Sequence, residues 1–320
     1  MAGLNGVVRV DGCEIQISRP EKVLFPEDAI TKGELIEYYA RIAPRMLPHL
    51  RDRPLTLERY PNGIDTKRFF QKEVSSYFPD WIERVTIEKV GGRVTHVVCN
   101  DTATLVYLAN QACVTPHIFL SRLDKVHHPD QLVFDLDPQG DDFEVVRSTA
   151  RAFKQLLDEL GLPAFLKTTG SRGLHVAVPL QRREEYEAVR NFARELAAIV
   201  ISQAPKARTM EQLKAQRGDR VFVDTNRNGY AQLVAPAYAV RARKGAPVSV
   251  PLDWSELRKK NLRSNSFTIR TIFDRLEDTP DPWGEFWKSA VSLTKARRAL
   301  QRLGTGAKSR QRHAEVTARE

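Results

Sequence analysis

The chain has 320 residues, 42% hydrophobic and 28% charged, an ordinary globular composition and enough length for one large or two small domains. No apolar run approaches the roughly 18 residues that a membrane-spanning helix needs, and the opening MAGLNGVVRVDG lacks the basic-then-apolar pattern of a secretory signal, so no membrane role is expected. The net charge of +10 suggests an anionic partner, but eight Lys/Arg and only two Glu lie from Lys295 onward; residues 1–294 hold 42 basic and 38 acidic side chains, and local clusters must carry any case for nucleic-acid binding. Cys13, Cys99 and Cys113 are widely spaced, which argues against a disulfide framework or zinc knuckle and fits a reducing cytoplasm.

In chain order, VVRVDGCEIQIS alternates as a strand pair turning at Asp11-Gly12. Thr31-x-x-Glu34 is a capping box opening a helix. Leu35, Tyr39, Ile42 and Met46 follow helical spacing, and Pro44 and Pro48 are expected to limit its length. Another helix is expected from about Ala103 to Cys113. LVFDLD (132–137) reads as a strand, and Asp142 to Leu160 as a helix stopped by Gly161. Segments 164–169 and 174–180 read as a hairpin, 184–203 as a helix and RVFVD (220–224) as a fourth strand. A short helix is expected around Trp254–Lys260. The β-α-β-β-α-β order is the ferredoxin-like or RRM-like unit, whose first and fourth strands are neighbours at the sheet centre. The expected class is therefore α/β (α+β), with that core on a mixed or antiparallel sheet and an added N-terminal α/β subdomain. The expected boundaries are 1–127 for the N-terminal subdomain, 128–294 for the core, and 295–320 for a basic tail that starts as a helix end and finishes disordered.

Asp135 and Asp137 share one strand face, roughly 6.6 Å apart at the backbone for a rise of about 3.3 Å per residue. Two carboxylates this close repel unless a cation lies between them, and oxygen-only ligation suits Mg²⁺ or Mn²⁺. The plainer alternative is a strand ending at a polar Asp137-Pro138 turn. Asp224 ends another apolar strand; if it lies beside the first, three carboxylates form a two-metal cage for phosphoryl transfer. Thr169-Gly170-Ser171-Arg172-Gly173-Leu174-His175 combines two glycines with a hydroxyl, a guanidinium and an imidazole, suitable partners for a triphosphate, or simply a solvated turn. No G-x-x-x-x-G-K-[ST] is present, which excludes a P-loop. The alternation in AYAVRARKG places Arg241 and Arg243 on one strand face, either extending a phosphate site or as surface charge.

Lys32 starts the capped helix, where its charge opposes the helix dipole, and a bound anion would remove the conflict; Lys22 lies ten residues upstream. Phe69-Phe70 between Arg68 and Lys72, with Arg59-Tyr60 before them, suit stacking on single-stranded bases or a DNA end, although spacing alone fits core phenylalanines equally. His117, after Pro116, reads in isolation as structural.

VFDLDP, TGSRGLHVAVPL, VFVD and APAYAVRARKGAPVSVPLDWSEL, preceded by EKVLFP, TKGELIEYYA, RYPNGID and FFQK, resemble in this order the polymerase domains of bacterial LigD-type end-joining ligases, of the archaeo-eukaryotic primase superfamily, over roughly residues 10–290. The resemblance implies a template-dependent primase-polymerase that adds NTPs or dNTPs to a primer 3′-hydroxyl at DNA breaks or gaps, using two Mn²⁺ or Mg²⁺ ions. It implies Asp135, Asp137 and Asp224 as metal ligands and Ser171, Arg172, His175 and Arg241 as the triphosphate site. His117 would lie near the nucleotide sugar, Lys22 and Lys32 on a 5′-phosphate, Phe69-Phe70 at the template discontinuity and Arg59 on nearby backbone. Arg172 stands where family members commonly have Lys, AYAVR replaces PYSxR, and VTPH replaces a Glu-containing stretch; these bear on nucleotide selection rather than on the metal site. The chain contains no nucleotidyl-lysine motif and no nuclease module. A stand-alone polymerase working with a separate ATP-dependent DNA ligase and Ku in the nucleoid is the expectation. Two rivals share some features. A D-x-D nucleotide-sugar transferase leaves Asp224 without a task. An RRM-type RNA-binding module needs aromatics on its third strand, and LHVAVPL has none.

Overall fold

The computed structural model describes residues 6–302. Strands β1 (Gly6–Val10) and β2 (Cys13–Ile17) form the expected hairpin, with the two turn residues in the left-handed region. Short strands β3 (Val23–Phe25) and β4 (Ile30–Thr31) pair antiparallel and lead into helix α1 (Lys32–Leu50). Both bonds of the capping box are made: the Thr31 hydroxyl accepts from the Glu34 amide, and the Glu34 carboxylate accepts from the Thr31 amide. The helix does not stop at Pro44 or Pro48 but runs through both. These prolines lie four apart on the exposed face, where water can satisfy the carbonyls they leave unpaired, while Leu35, Tyr39, Ile42 and Met46 stay buried on the other face.

A three-stranded sheet follows, with β5 (Leu55–Arg59) between β6 (Phe69–Gln71) and β9 (Cys113–Ile118). Between β6 and β9 the chain makes a hairpin, β7 (Arg84–Lys89) and β8 (Gly92–Val97), and helix α2 (Thr102–Asn110). The helix ends short of Cys113 because Ala112 turns left-handed at φ 55° and the chain enters β9.

The second half runs β10 (Gln131–Asp137), α3 (Phe143–Glu159), β11 (Phe165–Thr168), β12 (Leu174–Pro179), α4 (Tyr186–Ser202), β13 (Arg208–Thr209), β14 (Val221–Asp224), β15 (Pro251–Leu252) and α5 (Ile272–Asp278). The sheet order is β13-β14-β10-β12-β11-β15, with only the β13–β14 pair parallel. The first and fourth strands of the β-α-β-β-α-β unit, β10 and β14, are therefore adjacent, as that order requires. Leu132, Phe134 and Leu136 pack under α3 and α4, with Phe134 stacked on Phe153 at 4.1 Å between ring centroids. Val133, on the opposite face, joins a second apolar cluster that combines α1, α2 and β5 with residues 234–286. The cleft opens where that second cluster leaves the carboxyl end of β10 uncovered. Buried Arg53 donates to Asp130 at the entrance to β10, and Arg122 holds the same carboxylate, fixing the two packing units to each other.

Only glycine fits at position 173, since a Cβ there would lie 1.8 Å from the Leu136 carbonyl oxygen. The Gly-Ser-Arg-Gly turn therefore lies against β10 at the level of the acidic pair. The helix expected around Trp254 is a 3₁₀ turn, Trp254–Arg258, with Asp253 as its cap. Residues 294–302 are helical and bury Ala296 and Leu300 in the cluster under the catalytic sheet. The remainder of the expected tail, from residue 303, lies outside the described residues.

Candidate active site

Strand register decides the centre of the site. Asp135 of β10 lies directly opposite Asp224 of β14 on one side and His175 of β12 on the other, and His175 lies opposite Lys167 of β11. Side chains directly across a sheet share a face. Asp224, Asp135, His175 and Lys167 thus form one row across four strands. Asp137, two residues along, shares the face with Asp135 and lies opposite Phe222.

The row borders a cleft of about 570 Å³. Asp135, Asp137, Asp224, His117, Ser171, Arg172, His175, Arg241 and Phe70 all line it, so nine of the residues singled out in the sequence meet at one place. Glu58, Arg68, Arg217 and Arg227 complete much of the wall.

Guanidinium groups now answer the carboxylates. Arg227 Nε lies 3.4 Å from both Asp135 Oδ2 and Asp224 Oδ2. Arg172 Nη2 donates to Asp137 Oδ2 at 2.9 Å. Burial would raise the Asp135 carboxyl, but His175, with Nε2 3.3 Å away, and Arg227 together hold it well below the usual carboxylate range. Asp137 and Asp224 are instead pushed up, mainly by burial and further by the charge of Asp135, against the pull of Arg172 and Arg227 respectively. The three acids thus differ: one is firmly ionised and two are strained by its charge, the condition that an added cation relieves. Among the described residues, no three acidic, histidine or cysteine side chains already converge as a metal cage. The oxygen-only donors, their shared face and their mutual repulsion fit divalent ions, which Asp135, Asp137 and Asp224 would hold in place of their contacts with Arg172 and Arg227. Arg172 and Arg227 are 46% and 40% exposed at the side chain, leaving them room to swing away.

Beside the glycine turn, Arg241 Nη1 donates to the Thr169 carbonyl at 3.0 Å, and its buried Nε has no partner among the described residues. The expected strand around Arg241 and Arg243 is absent. Residues 241–243 form a bend, and Arg243 faces a neighbouring pocket lined by Arg68 and Arg241. His175 is lowered to about 4 by burial and the Lys167 charge, against the attraction of Asp135, and is neutral near pH 7. Lys167 itself is brought down to about 7 by burial and the Arg241 charge.

The N-terminal candidates lie apart from the cleft, except Phe70. Pairing of β3 with β4 brings the two lysines together: the Lys32 amide donates to the Lys22 carbonyl. Lys32 is buried, yet its ammonium donates only to neutral oxygens, of Ser18 and Asn110, and burial together with the Arg19 charge lowers it to about 8. Lys22 donates to Asn62. Phe69 and Phe70 take opposite faces of the β5–β6 pair. Phe70 lies opposite Glu58 on the cleft side, and Phe69 lies opposite Arg59, whose guanidinium is 5.2 Å from its ring. Both rings are more than two-fifths exposed, which is not the exposure of core phenylalanines.

Glu58, Arg227 and Lys167 were missed in the sequence. Arg227 follows Asp224 by three residues, as an exposed charge would. Glu58 and Lys167 lie in short strands whose partners are distant in the chain, and nothing in their local pattern marks them.

A ferredoxin-like sheet whose adjacent central strands present three carboxylates to an arginine-rimmed cleft defines the class: a nucleotidyltransferase of the primase-polymerase type. Residues 31–283 match the LigD primase-polymerase domain family, and the chain belongs to that family. It is 32% identical over 270 residues to the multifunctional non-homologous end joining protein LigD of Mycolicibacterium smegmatis, covering 83% of this chain and 35% of that protein. It is 30% identical over 278 residues to the bifunctional non-homologous end joining protein LigD of Bacillus subtilis, covering 86% and 44% respectively. The chain therefore spans well under half the length of these relatives. Among solved structures it is similar to the polymerase domain from Mycobacterium tuberculosis Ligase D in complex with DNA, with a TM-score of 0.81 and 29% identity, covering 86% of this chain and 99% of that one. Membership of this family sets aside the sugar-transferase and RNA-binding readings.

Proposed function

We propose that the chain is a template-dependent nucleotidyltransferase that adds NTPs or dNTPs to a primer 3′-hydroxyl at DNA breaks or gaps carrying a 5′-phosphate. The observation that carries this reading is the register that places Asp224, Asp135 and His175 side by side on three strands, with Asp137 on the same face and arginines opposite. Asp135, Asp137 and Asp224 would hold Mn²⁺ or Mg²⁺, which supplies Lewis-acid activation and charge neutralisation when bound.

The chain's own residues do the rest. Arg172 and Arg227, released from the carboxylates, are freed to meet the triphosphate, and Arg172, Arg241 and the Ser171 hydroxyl orient it for in-line attack. His175, neutral and buried, steadies Asp135 through Nε2 and offers no competing charge. His117 meets the nucleotide sugar. Lys22 and Lys32 grip the 5′-phosphate; a buried ammonium with only neutral partners retains its charge for an anion. Phe69 and Phe70 stack where the template strand is interrupted, and Arg59 supports them. On this reading the N-terminal subdomain, 1–127, handles the DNA end and 128–294 performs the chemistry, with residues 294–302 packing Ala296 and Leu300 into the core beneath it. No helix among the described residues is long and apolar enough to cross a membrane. Action on DNA would put the protein at the nucleoid in the cytoplasm, with Ku and an ATP-dependent ligase activity joining it at the break.

The test is incorporation of labelled NTPs and dNTPs on a gapped duplex, with and without a 5′-phosphate, in Mg²⁺ and in Mn²⁺. Templated addition stimulated by the phosphate is the expected result. No addition with either metal would overturn the reading.

A further inference from the structure

One carboxylate in the cleft is remote from the acidic row. Glu58 is 4% exposed and His117 8%; they lie on the same face of the β5–β9 pair, with His117 Nε2 2.9 Å from Glu58 Oε2. The other carboxylate oxygen accepts from the Tyr60 hydroxyl at 2.9 Å and from Arg68 Nη1 at 3.0 Å. Both carboxylate oxygens of Glu58 are thus anchored, which holds the group toward the imidazole. Although burial opposes it, the bonds from His117 and Tyr60 bring its carboxyl down to about 2, and it is ionised at working pH.

An ionised carboxylate accepts and never donates. The imidazole nitrogen facing Glu58 must therefore carry the hydrogen, and the other nitrogen, Nδ1, presents a lone pair. That Nδ1 is buried and has no hydrogen-bond partner among the described residues. A desolvated acceptor without a donor is costly to leave unmet. The Phe70 ring lies 5.8 Å from the imidazole and both side chains line the cleft, so a nucleotide that shifts the exposed Phe70 ring comes within reach of this nitrogen. A template-dependent enzyme must accept all four bases, which leaves a sugar hydroxyl as the donor common to every substrate.

We infer that Glu58 is a positioning residue that fixes His117 as a hydrogen-bond acceptor and thereby makes the enzyme select nucleotides by a sugar hydroxyl. This rests on the polymerase reading above. The test measures kcat/KM for an NTP and its 2′-deoxy and 3′-deoxy counterparts on one gapped duplex, in wild type, Glu58→Gln, His117→Asn and the double variant. Gln has the size of Glu but can donate as well as accept, so it no longer dictates the tautomer. Wild type is expected to favour the hydroxylated sugar at one of the two positions, and Glu58→Gln to lose about three- to tenfold of that ratio, the worth of one hydrogen bond. Asn at 117 supplies a fixed amide oxygen near the Nδ1 position, so adding Glu58→Gln to it should leave the ratio unmoved. A general packing defect would instead lower all three substrates together. An unchanged ratio in Glu58→Gln, or an equal further loss in the double variant, would overturn the inference. Absence of any nucleotide addition by wild type would overturn the polymerase reading instead.

Discussion

Two walls of the molecule are built on different principles, one bordering the cleft and the other, except for Phe70, lying apart from it. The first wall is a row of side chains whose backbone positions are fixed by strand pairing, Asp224–Asp135–His175–Lys167, the first three of which line the cleft. The N-terminal wall presents two exposed rings and two lysines whose ammonium groups contact only neutral oxygens. The first concentrates charge where water is scarce, which suits chemistry that demands fixed geometry. The second keeps two aromatic rings exposed and two ammonium groups without acidic partners, which suits a nucleic-acid end of variable shape. Rigidity is thus spent on the reacting atoms and surface exposure on the partner.

Breaking one wall should leave the other working. Asp135→Ala is expected to reduce primer extension at least about a hundredfold, since it removes the central member of the acidic row, while fluorescence anisotropy shows near-normal binding of gapped DNA. Substantial extension by this variant would defeat the assignment. The Lys22→Ala, Lys32→Ala pair should do the converse. Preference for a 5′-phosphorylated gap over an unphosphorylated one should fall by roughly ten- to a hundredfold, as two charged contacts are lost, and the salt dependence of binding should flatten by about two phosphate contacts. If wild type binds both ends equally, the lysines have no such role. Phe69→Ala should weaken binding to gapped DNA by roughly 1–3 kcal/mol per lost stack but leave intact duplex unaffected; equal weakening of both would refute stacking.

The smallest effect lies at the seam between the walls. His49, from α1, is buried beside Trp283 and Trp287, with ring centroids 5.6 and 5.7 Å away. Burial, with the charges of Arg53, Lys167 and Arg122, lowers it to about 3 from an ordinary 6.5. The unfolded chain therefore takes up the proton first. Stability is complete above about pH 6.5 and is lost as pH falls, by about 0.7 kcal/mol between pH 7 and 6. His49→Phe should remove that part of the slope in urea unfolding at the two pH values, and an unaltered slope would show that His49 does not contribute it.

Local patterns in the chain were read well where they depend on near neighbours. The capping box at Thr31, the alternation in LVFDLD and the glycine turn at 170–173 need no distant partner to form. Pro44 and Pro48 misled because whether a helical proline is tolerated depends on which face meets water, and that is decided by packing. The strand expected at Arg241 failed for a similar reason: Val240 pairs only briefly with Val248 before the chain bends. Glu58 escaped notice because its meaning lies in His117, fifty-nine residues away.

By itself the sequence determined the β-α-β-β-α-β order of the second half, the acidic and glycine-rich motifs, and the family those motifs resemble, since each is written in spacings of a few residues. Only the tertiary structure decided that Asp224 meets Asp135, that Arg227 bridges these two acids and that Glu58 reaches His117. Strand register and side-chain proximity arise from packing between segments far apart in the chain, and no local pattern encodes them.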